Sequence, residues 1–425
     1  PIARGRTQMT VAGDSIHFKL RSGTSWKDPF PMYRMLRDHD PVHQVQPEEG
    51  HNGFWFLSRF ADVLEAVRDA ETFSSARGLT IESGTGVDLG EATPIVFLDP
   101  PDHTVFRRLV GSGFTPRQVS ELEEDIRAFV VERIECLRES GKGDVVAELF
   151  KPLPSFVVAH YLGVPVADRP LFDLWTDQIV AAAAQGQIGD PESGVLDLLA
   201  YFSDLVERRR VEPGDDLISQ LVELGEDAVS ITWVLGFAFT MVTGGNDTTT
   251  GLLGGAAVLL ADQPDQRRLL AEDPSLIPAS IEEFLRLTSP VQNLARTVTR
   301  EVVISGTSLP EGSKVLLGYG AANRDPREFG DNAEELDVQR SPARILSFGY
   351  GAHHCLGASV ARLQGRVTLE ELLARCPDYE VDVASMKYAT GNYVRRPLNL
   401  AFSPGKRSST TTSRPPRNKR ADSSA

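Results

Sequence analysis

The sequence predicts one mainly α-helical domain with a smaller β-rich part. From Thr115 onward, apolar residues recur at helical spacing, and the segment 230–262 is apolar on nearly every face. Alternating β-branched residues bracket a turn within residues 296–320, a pattern typical of strands. No internal repeat and no Gly/Ser linker divides the chain, which disfavours a string of domains. The predicted helices cover residues 116–139, 144–162, 168–185, 194–210 and 230–262.

The composition is typical of a globular protein that can bury a large core and a cofactor. The net charge of −15 disfavours binding to nucleic acid or to acidic membranes. Three cysteines provide no disulfide framework and suit a reducing cytoplasm, where we expect the protein. The first residues lack the apolar core of a signal peptide or membrane anchor. We expect an N-terminal extension over residues 1–27, one domain over 28–402, and a disordered, basic Ser/Thr/Pro/Arg-rich tail over 403–425.

The N-terminal quarter alternates short strand patterns with turns. Residues 53–75 read as a strand, a turn and a helix at 3.6-residue periodicity. A long glycine-rich connection follows over residues 76–101, and loops of this kind often carry function.

The segment 230–262 predicts a long helix that starts after an N-cap at Ser230 and stops before Pro264. About 30 residues at about 1.5 Å each span roughly 45 Å, enough to cross a whole domain. A transmembrane helix is the competing interpretation. It is disfavoured because Asn246, Asp247 and several threonines occupy the centre, where hydrocarbon would lie. A buried central helix is the better prediction.

The centre of this helix is unusual for a core segment. Gly244 and Gly245 each cost about 1 kcal/mol relative to alanine. A buried Asp247 beside Thr248 also needs a reason, because an unpaired buried charge is unfavourable. One interpretation is helix packing through small residues with a capped carboxylate. The other is an acid and an alcohol that move protons over a cofactor.

Three possible metal ligands, His353, His354 and Cys355, stand side by side before a predicted helix. A cysteine at a helix N-terminus is favoured as the thiolate. Zinc is disfavoured, because three consecutive ligands cannot easily wrap a tetrahedron and there is no CxxC partner. These residues alone leave open both a ligand cysteine and an inert buried cysteine in a crowded turn.

The sequence FGYGAHHCLG at residues 348–357 resembles the F-G-x-G-x-[HR]-x-C-x-G haem loop of the cytochrome P-450 family, the haem-thiolate monooxygenases. The resemblance covers about residues 28–402 and implies a P-450 fold with a long central helix over the haem. It implies haem b (iron protoporphyrin IX), with Cys355 as the axial iron ligand and His353 as a haem-propionate partner. His354 falls at a variable position.

Further motifs of the family follow in the expected order. GGNDTT at 244–249 resembles the oxygen-activation motif, which implies Asp247 and Thr248 as its acid–alcohol pair. The resemblance also implies a structural ion-pair group and further propionate partners. The structural group is Glu283, Arg286 and Arg340, and the propionate partners are His103, Arg107 and Arg296. One departure is Ile345, where bacterial members usually have a histidine. Arg344 beside it is a candidate replacement.

By family position, mostly apolar or neutral residues line the substrate pocket, which implies a hydrophobic substrate. They are Leu79, Ile95, Ile179, Phe239, Thr243, Gln292, Leu294, Asn392 and Tyr393. The resemblance implies a monooxygenase that inserts one oxygen atom from O2 into a lipophilic small molecule, by hydroxylation or N-demethylation. A peroxide-driven peroxygenase and a non-catalytic haem-binding or sensor protein are the alternatives, and neither needs the acid–alcohol pair.

The chain contains no Rossmann fingerprint, so the resemblance implies electrons from a separate ferredoxin or flavodoxin with an NAD(P)H-dependent reductase. Arginines cluster in sequence around the cysteine loop, and they predict a basic patch for an acidic partner. They are Arg107, Arg108, Arg340, Arg344, Arg362 and Arg366. A solvated charged face is the alternative interpretation.

Overall fold

Helices make up most of the fold. The computed structural model describes residues 17–48, 51–81, 93–185, 194–225 and 229–405. Most of the predicted extension (residues 1–16), most of the predicted tail (406–425) and residues 82–92 of the glycine-rich connection lie outside these ranges. The α-helices are α1 Phe30–His39, α2 Phe60–Arg68, α3 Asp102–Gly111, α4 Pro116–Glu121, α5 Glu123–Ser140, α6 Pro152–Tyr161, α7 Arg169–Gln185, α8 Val195–Val211, α9 Leu217–Glu223, α10 Ile231–Asp262, α11 Pro264–Glu272, α12 Ile277–Thr288, α13 Tyr319–Ala322, α14 Pro326–Phe329 and α15 Ala358–Arg375.

The strands form a smaller β-rich part, and the predicted fold class is confirmed. The strands are β1 Val42–Val45, β2 Phe54–Leu57, β3 Phe73–Ser74, β4 Gly143–Asp144, β5 Leu294–Val298, β6 Val302–Ile304, β7 Thr307–Leu309, β8 Lys314–Leu317, β9 Glu380–Asp382 and β10 Ala401–Ser403. A five-stranded sheet has the order β1-β2-β8-β5-β3, with β2 and β8 parallel and the other pairs antiparallel. A three-stranded sheet has the order β4-β10-β9, and β6 pairs with β7 as a hairpin.

The predicted long helix is confirmed as α10, and both of its ends follow from local sequence. The Ser230 hydroxyl accepts a hydrogen bond from the Trp233 N–H, and Pro264 opens the next helix. Helix α10 contacts α6, α8, α12 and α15, so it is enclosed by other helices. Within the described ranges, no helix is both long and apolar enough to cross a membrane.

Two of the predicted helices are divided in the structure. The segment 116–139 becomes α4 and α5, which meet at Leu122. The segment 144–162 opens with a π-helical turn, Val146–Phe150, and the α-helix begins only at Pro152. Proline lacks an N–H group and is tolerated in the first helical turn, so α6 can begin at Pro152 but an α-helix cannot continue through it.

Candidate active site

A cavity of about 320 Å³ lies between the middle of α10 and the loop that leads into α15. Most of its lining is apolar, with side chains from α3, α6, α10 and β5. Gly244, Gly245, Thr248 and Thr249 form the α10 wall, and residues from Ser347 to Gly357 form much of the facing wall. The predicted oxygen-activation motif and the predicted cysteine loop therefore line one cavity.

The cysteine loop depends on two glycines with positive φ. Gly349 has φ of +65° and Gly351 has φ of +68°, a region in which other residues are strained. A Cβ at Gly351 would also lie 2.9 Å from the Val67 carbonyl oxygen. The Cys355 N–H donates to the Phe348 carbonyl at 2.8 Å, which closes the loop just before α15.

The Cys355 side chain is exposed, but it opens onto the cavity. Surrounding protein raises the pKa of the thiol by desolvation, while the Gly357 N–H and the Arg107 and Arg362 side chains oppose that rise. A metal cation in the cavity would add a much stronger opposing charge and favour the thiolate.

Two guanidinium groups, of Arg107 and Arg296, and three imidazoles, of His103, His353 and His354, line the same cavity. Among the described residues, no carboxylate forms an ion pair with Arg107 or with Arg296, although both are at least half-buried. The His103 and His353 rings lie 4.2 Å apart between centroids. Burial, followed by Arg296 and the other cations, lowers the pKa of His353 to about 3, so this ring is neutral. The site thus offers two uncompensated positive charges to an anionic ligand.

The two members of the acid–alcohol pair face different surroundings. Thr248 lines the cavity, and its hydroxyl donates to the Gly244 carbonyl one turn earlier at 3.0 Å. Asp247 is not part of the lining, and its carboxylate forms an ion pair with Arg396, with Nε and Oδ1 2.7 Å apart. Burial is the larger influence and raises the pKa of Asp247, while Arg396 opposes the rise.

The predicted structural ion pairs come together beneath the loop. Glu283 and Arg286 are fully buried on α12, and two N–H donors of Arg286 reach the two carboxylate oxygens at 2.7 and 2.8 Å. Arg340 donates to Glu283 at 3.1 Å as a third member. Arg286 also donates to the carbonyls of Asn323 and Ala333, so the group ties α12 to the segment that precedes the cysteine loop.

Comparison with known proteins identifies the family. The family model described as Cytochrome P450 matches residues 208–384. The chain is 56% identical over 399 residues to Cytochrome P450 130 of Mycobacterium tuberculosis, covering 91% of this chain and 98% of that protein. It is 37% identical over 409 residues to the Vitamin D(3) 25-hydroxylase of Pseudonocardia autotrophica, covering 94% and 99%.

The chain belongs to the cytochrome P450 family. A solved structure, cytochrome P450 CYP109Q5 from Chondromyces apiculatus, has a TM-score of 0.80 at 35% identity and covers 89% of this chain and 95% of that one. The protein is therefore a P450 monooxygenase, an oxidoreductase that uses haem, O2, a substrate and redox partner proteins.

The residues of the cavity fit a P450 haem. Haem is a flat apolar group that carries an iron ion and two propionate carboxylates. The cavity combines an apolar lining, a cysteine sulfur that faces inward, and the charges of Arg107 and Arg296, for which the described part of the chain provides no carboxylate partner. The side-chain Nδ1 of His103 is buried without a hydrogen-bond partner among the described residues, as expected for a group that contacts a ligand.

The structure locates the departure at Ile345 outside the cavity lining. Its side chain is buried in the main hydrophobic cluster, and an isoleucine side chain has no group that could donate to a propionate. Arg344 does not take the place of that histidine. It is partly exposed and pairs with Glu328 at 3.1 Å.

Three of the predicted pocket residues, Leu79, Ile95 and Leu294, line the cavity, and the others lie elsewhere among the described residues. Ile179 is buried in the core of α7. On α10, Thr240 and Met241 line the cavity in place of Phe239 and Thr243. The other three are also outside the lining. The Gln292 N–H donates to the Tyr393 carbonyl and the Gln292 side chain donates to the Thr288 carbonyl at the end of α12, while the Asn392 carbonyl accepts from the Asn293 side chain.

The predicted basic patch is largely neutralised in the structure. Arg344, Arg362 and Arg366 each have a carboxylate partner, and Arg340 belongs to the buried Glu283 group. Arg107 faces the cavity. The pairs of Arg344 with Glu328, of Arg362 with Glu282 and of Arg366 with Glu123 were missed, because these glutamates come from distant segments. The Arg396 partner of Asp247 was missed for the same reason.

Proposed function

We propose that this P450 binds haem b and oxidises a lipophilic small molecule by hydroxylation or N-demethylation. The observation that carries the proposal is a single apolar cavity with Cys355 on one wall and Thr248 on the other. The similarity to a vitamin D(3) 25-hydroxylase supports a lipophilic substrate. Leu79, Ile95, Met241 and Leu294 would contact that substrate, because they belong to the apolar lining.

In this proposal, the protein holds the haem by two kinds of contact. Cys355 would ligate the iron, and Arg107, Arg296, His103 and His353 would bind the propionates. When bound, the haem supplies the O2 chemistry, for which a thiolate ligand favours O–O cleavage. Gly244 leaves open space on the wall of α10, since apart from the adjacent helix backbone no atom of the described residues lies within 4 Å of a Cβ placed there.

The chain itself supplies protons and excludes water. The Thr248 hydroxyl lies at the cavity wall, where it can donate a hydrogen bond into the cavity or hold a water that does. Asp247 is the preceding residue and lies outside the cavity wall, where it can pass protons from solvent to that hydroxyl. The apolar lining keeps other water away from the reacting atoms.

The presence of this acid–alcohol pair favours an O2-dependent monooxygenase over a peroxygenase or a haem sensor, neither of which needs it. Electrons would come from a ferredoxin or flavodoxin with an NAD(P)H-dependent reductase. The free cysteines Cys136, Cys355 and Cys376 suit a reducing cytoplasm.

Two measurements test the proposal. Reduced protein with carbon monoxide should show the red-shifted Soret band of a thiolate-ligated haem, and Cys355→Ala should lose it. Survival of that band in Cys355→Ala would contradict the ligand assignment. Candidate substrates selected by their shift of the haem spectrum should then yield product with NADPH, ferredoxin and reductase. Product formation with peroxide alone would favour the peroxygenase, and a lack of product under both conditions would favour the sensor.

A further inference from the structure

The Asp247 carboxylate and the Thr248 hydroxyl lie on opposite sides of the wall of α10. Arg396 contacts the carboxylate from a different part of the chain, and its own side chain is nearly buried, at 9% exposed. Because the cavity lining excludes Asp247, the carboxylate must leave or loosen its pair with Arg396 before it can serve the Thr248 hydroxyl.

Glycines of α10 allow Arg396 to reach this position. A Cβ at Gly251 would lie 2.9 Å from the Arg395 carbonyl oxygen, and a Cβ at Gly254 would collide with the Pro397 ring. The backbone of the segment 394–397 is also held by a hydrogen bond, since the Arg395 N–H donates to the Pro290 carbonyl at 2.8 Å. The segment therefore lies directly against α10, and Arg396 is held in place by backbone contacts.

Three charged groups act on the Asp247 carboxylate, each from a separate element. Arg396 comes from the segment 394–397, Lys151 from the residue before α6, and Asp177 from α7. Lys151 and Asp177 pair with each other at 2.7 Å and are about half exposed, so their effects on Asp247 largely cancel. Arg396 is the one that contacts the carboxylate.

We propose that Arg396 is a positioning residue for Asp247. Arg396 holds the Asp247 carboxylate ionised and outside the active-site cavity until a proton is delivered. This inference rests on the proposed function. It adds Arg396 as a partner of the proton relay and makes the pair of Arg396 and Asp247 the point at which proton transfer is controlled. A purely structural pair would hold the segment 394–397 against α10 and stabilise the ionised carboxylate, but it would leave the pH dependence of turnover unchanged.

The direct test is an infrared pH titration of the resting holoenzyme. The signal is the protonated-carboxyl stretch that disappears in Asp247→Asn. In Arg396→Gln the opposing positive charge is gone, so the band should persist to higher pH than in the parent. Arg396→Lys keeps the charge and should titrate close to the parent.

Arg395→Gln is the matched control. It removes an equal charge from the same segment, but Arg395 donates to the Trp26 carbonyl and to the Tyr388 hydroxyl rather than to Asp247. Its titration should equal that of the parent. An unshifted band in Arg396→Gln, or an equal shift in Arg395→Gln, would overturn the proposal. If Arg396→Gln does not fold, Gly251→Ala should displace the segment and raise the titration midpoint with every charge retained.

Turnover measurements distinguish a failure of this inference from a failure of the proposed function. The pH dependence of product formed per NADPH should move to higher pH in Arg396→Gln, and Arg396→Lys should restore it. If the parent turns over normally and the pH profile of Arg396→Gln does not move, the role of Arg396 is contradicted and the proposed function is not. A parent enzyme that forms no product contradicts the proposed function, whatever the infrared titration shows.

Discussion

Arg286 illustrates at the level of one residue how the molecule keeps charge in its core. Its guanidinium is fully buried, yet its donors reach Glu283 and the backbone carbonyls of Asn323 and Ala333. The ring of Phe329 lies 4.8 Å from the guanidinium carbon. Such a group is unfavourable to bury and even more unfavourable to leave half-paired.

Glu283→Gln should therefore lower the free energy of unfolding by about 3–5 kcal/mol, because Arg286 would keep its charge without a counter-ion. Urea unfolding and haem content measure the loss. The control is Glu121→Gln, whose partner Arg117 is 88% exposed, and its effect should stay below about 1 kcal/mol. Equal effects of the two variants would contradict the role assigned to the buried group.

Loss of Thr248 and loss of Asp247 should affect turnover in different ways. Thr248→Ala should keep NADPH oxidation but divert much of the flux to hydrogen peroxide, because the hydroxyl at the cavity wall is lost. Asp247→Asn should slow the cycle by about 100-fold, because the relay is interrupted. Product and peroxide per NADPH are the measurements. Thr243→Ala is the control, since its hydroxyl makes the same bond to a carbonyl one turn earlier but lies outside the cavity lining.

Helix α15 carries the cysteine loop at its start, and ion pairs hold it against α5. Arg127 of α5 pairs with Glu123 at 2.8 Å and with Glu370 at 2.6 Å, and it also contacts Glu371. Arg366 of α15 pairs with Glu123 and Glu370. The direction of α15, and with it the position of the loop, depends partly on these contacts.

This α5–α15 contact should weaken in acid. Arg366, Arg127 and their hydrogen bonds lower the pKa of Glu123. Its contribution to stability is therefore complete above the unfolded glutamate value of about 4.3 and is lost as pH falls through the lower folded value. Arg127→Met should lower stability by about 1 kcal/mol at pH 7 and flatten the decline in acid. Thermal unfolding across pH tests this, with Arg117→Met as the exposed control, and an unchanged acid decline in Arg127→Met would contradict it.

At the scale of the whole molecule, the C-terminal strand joins two distant parts of the chain. Strand β10 lies between β4 and β9, which are the other strands of the three-stranded sheet. We propose that residues 28–402 form one domain together with Ser403, the last residue of β10, and with Trp26, whose side chain is fully buried and donates to the Gly391 carbonyl.

Two truncations test that boundary. Deletion of residues 406–425 should leave the thermal midpoint and haem content nearly unchanged, because this stretch has no apolar periodicity. Deletion of residues 401–425 should lower both, because it removes the middle strand of the sheet. A large loss from the shorter deletion would give the tail a structural role.

The net charge near the cysteine loop should affect the rate of electron transfer from a redox partner. Arg362 pairs with Glu282, so Arg362→Glu places two carboxylates together where the pair was neutral. The first electron transfer from an acidic ferredoxin should slow, most strongly at low salt. Arg208→Glu on α8, which packs on α7, α9 and α10, is the control. Unchanged rates at every ionic strength would mean that the partner docks elsewhere.

Features that depend on near neighbours in the chain were determined by the sequence alone. Ser230 and Pro264 set the ends of α10, and Glu283 and Arg286 share one helix face. The glycine pattern around Cys355 likewise forms its loop through local backbone conformation. Such features need only the spacing of a few residues, which is visible in the sequence.

Which helix faces and which distant segments meet depends on long-range packing, which local sequence patterns do not reveal. Helix α10 is apolar all round, so its pattern could not tell that Met241 rather than Phe239 lines the cavity. Likewise, the pairing of Arg396 with Asp247 depends on a segment that lies over Gly251. Periodicity indicates which residues share a face, but it carries no information on what that face contacts. Long-range packing supplies that information.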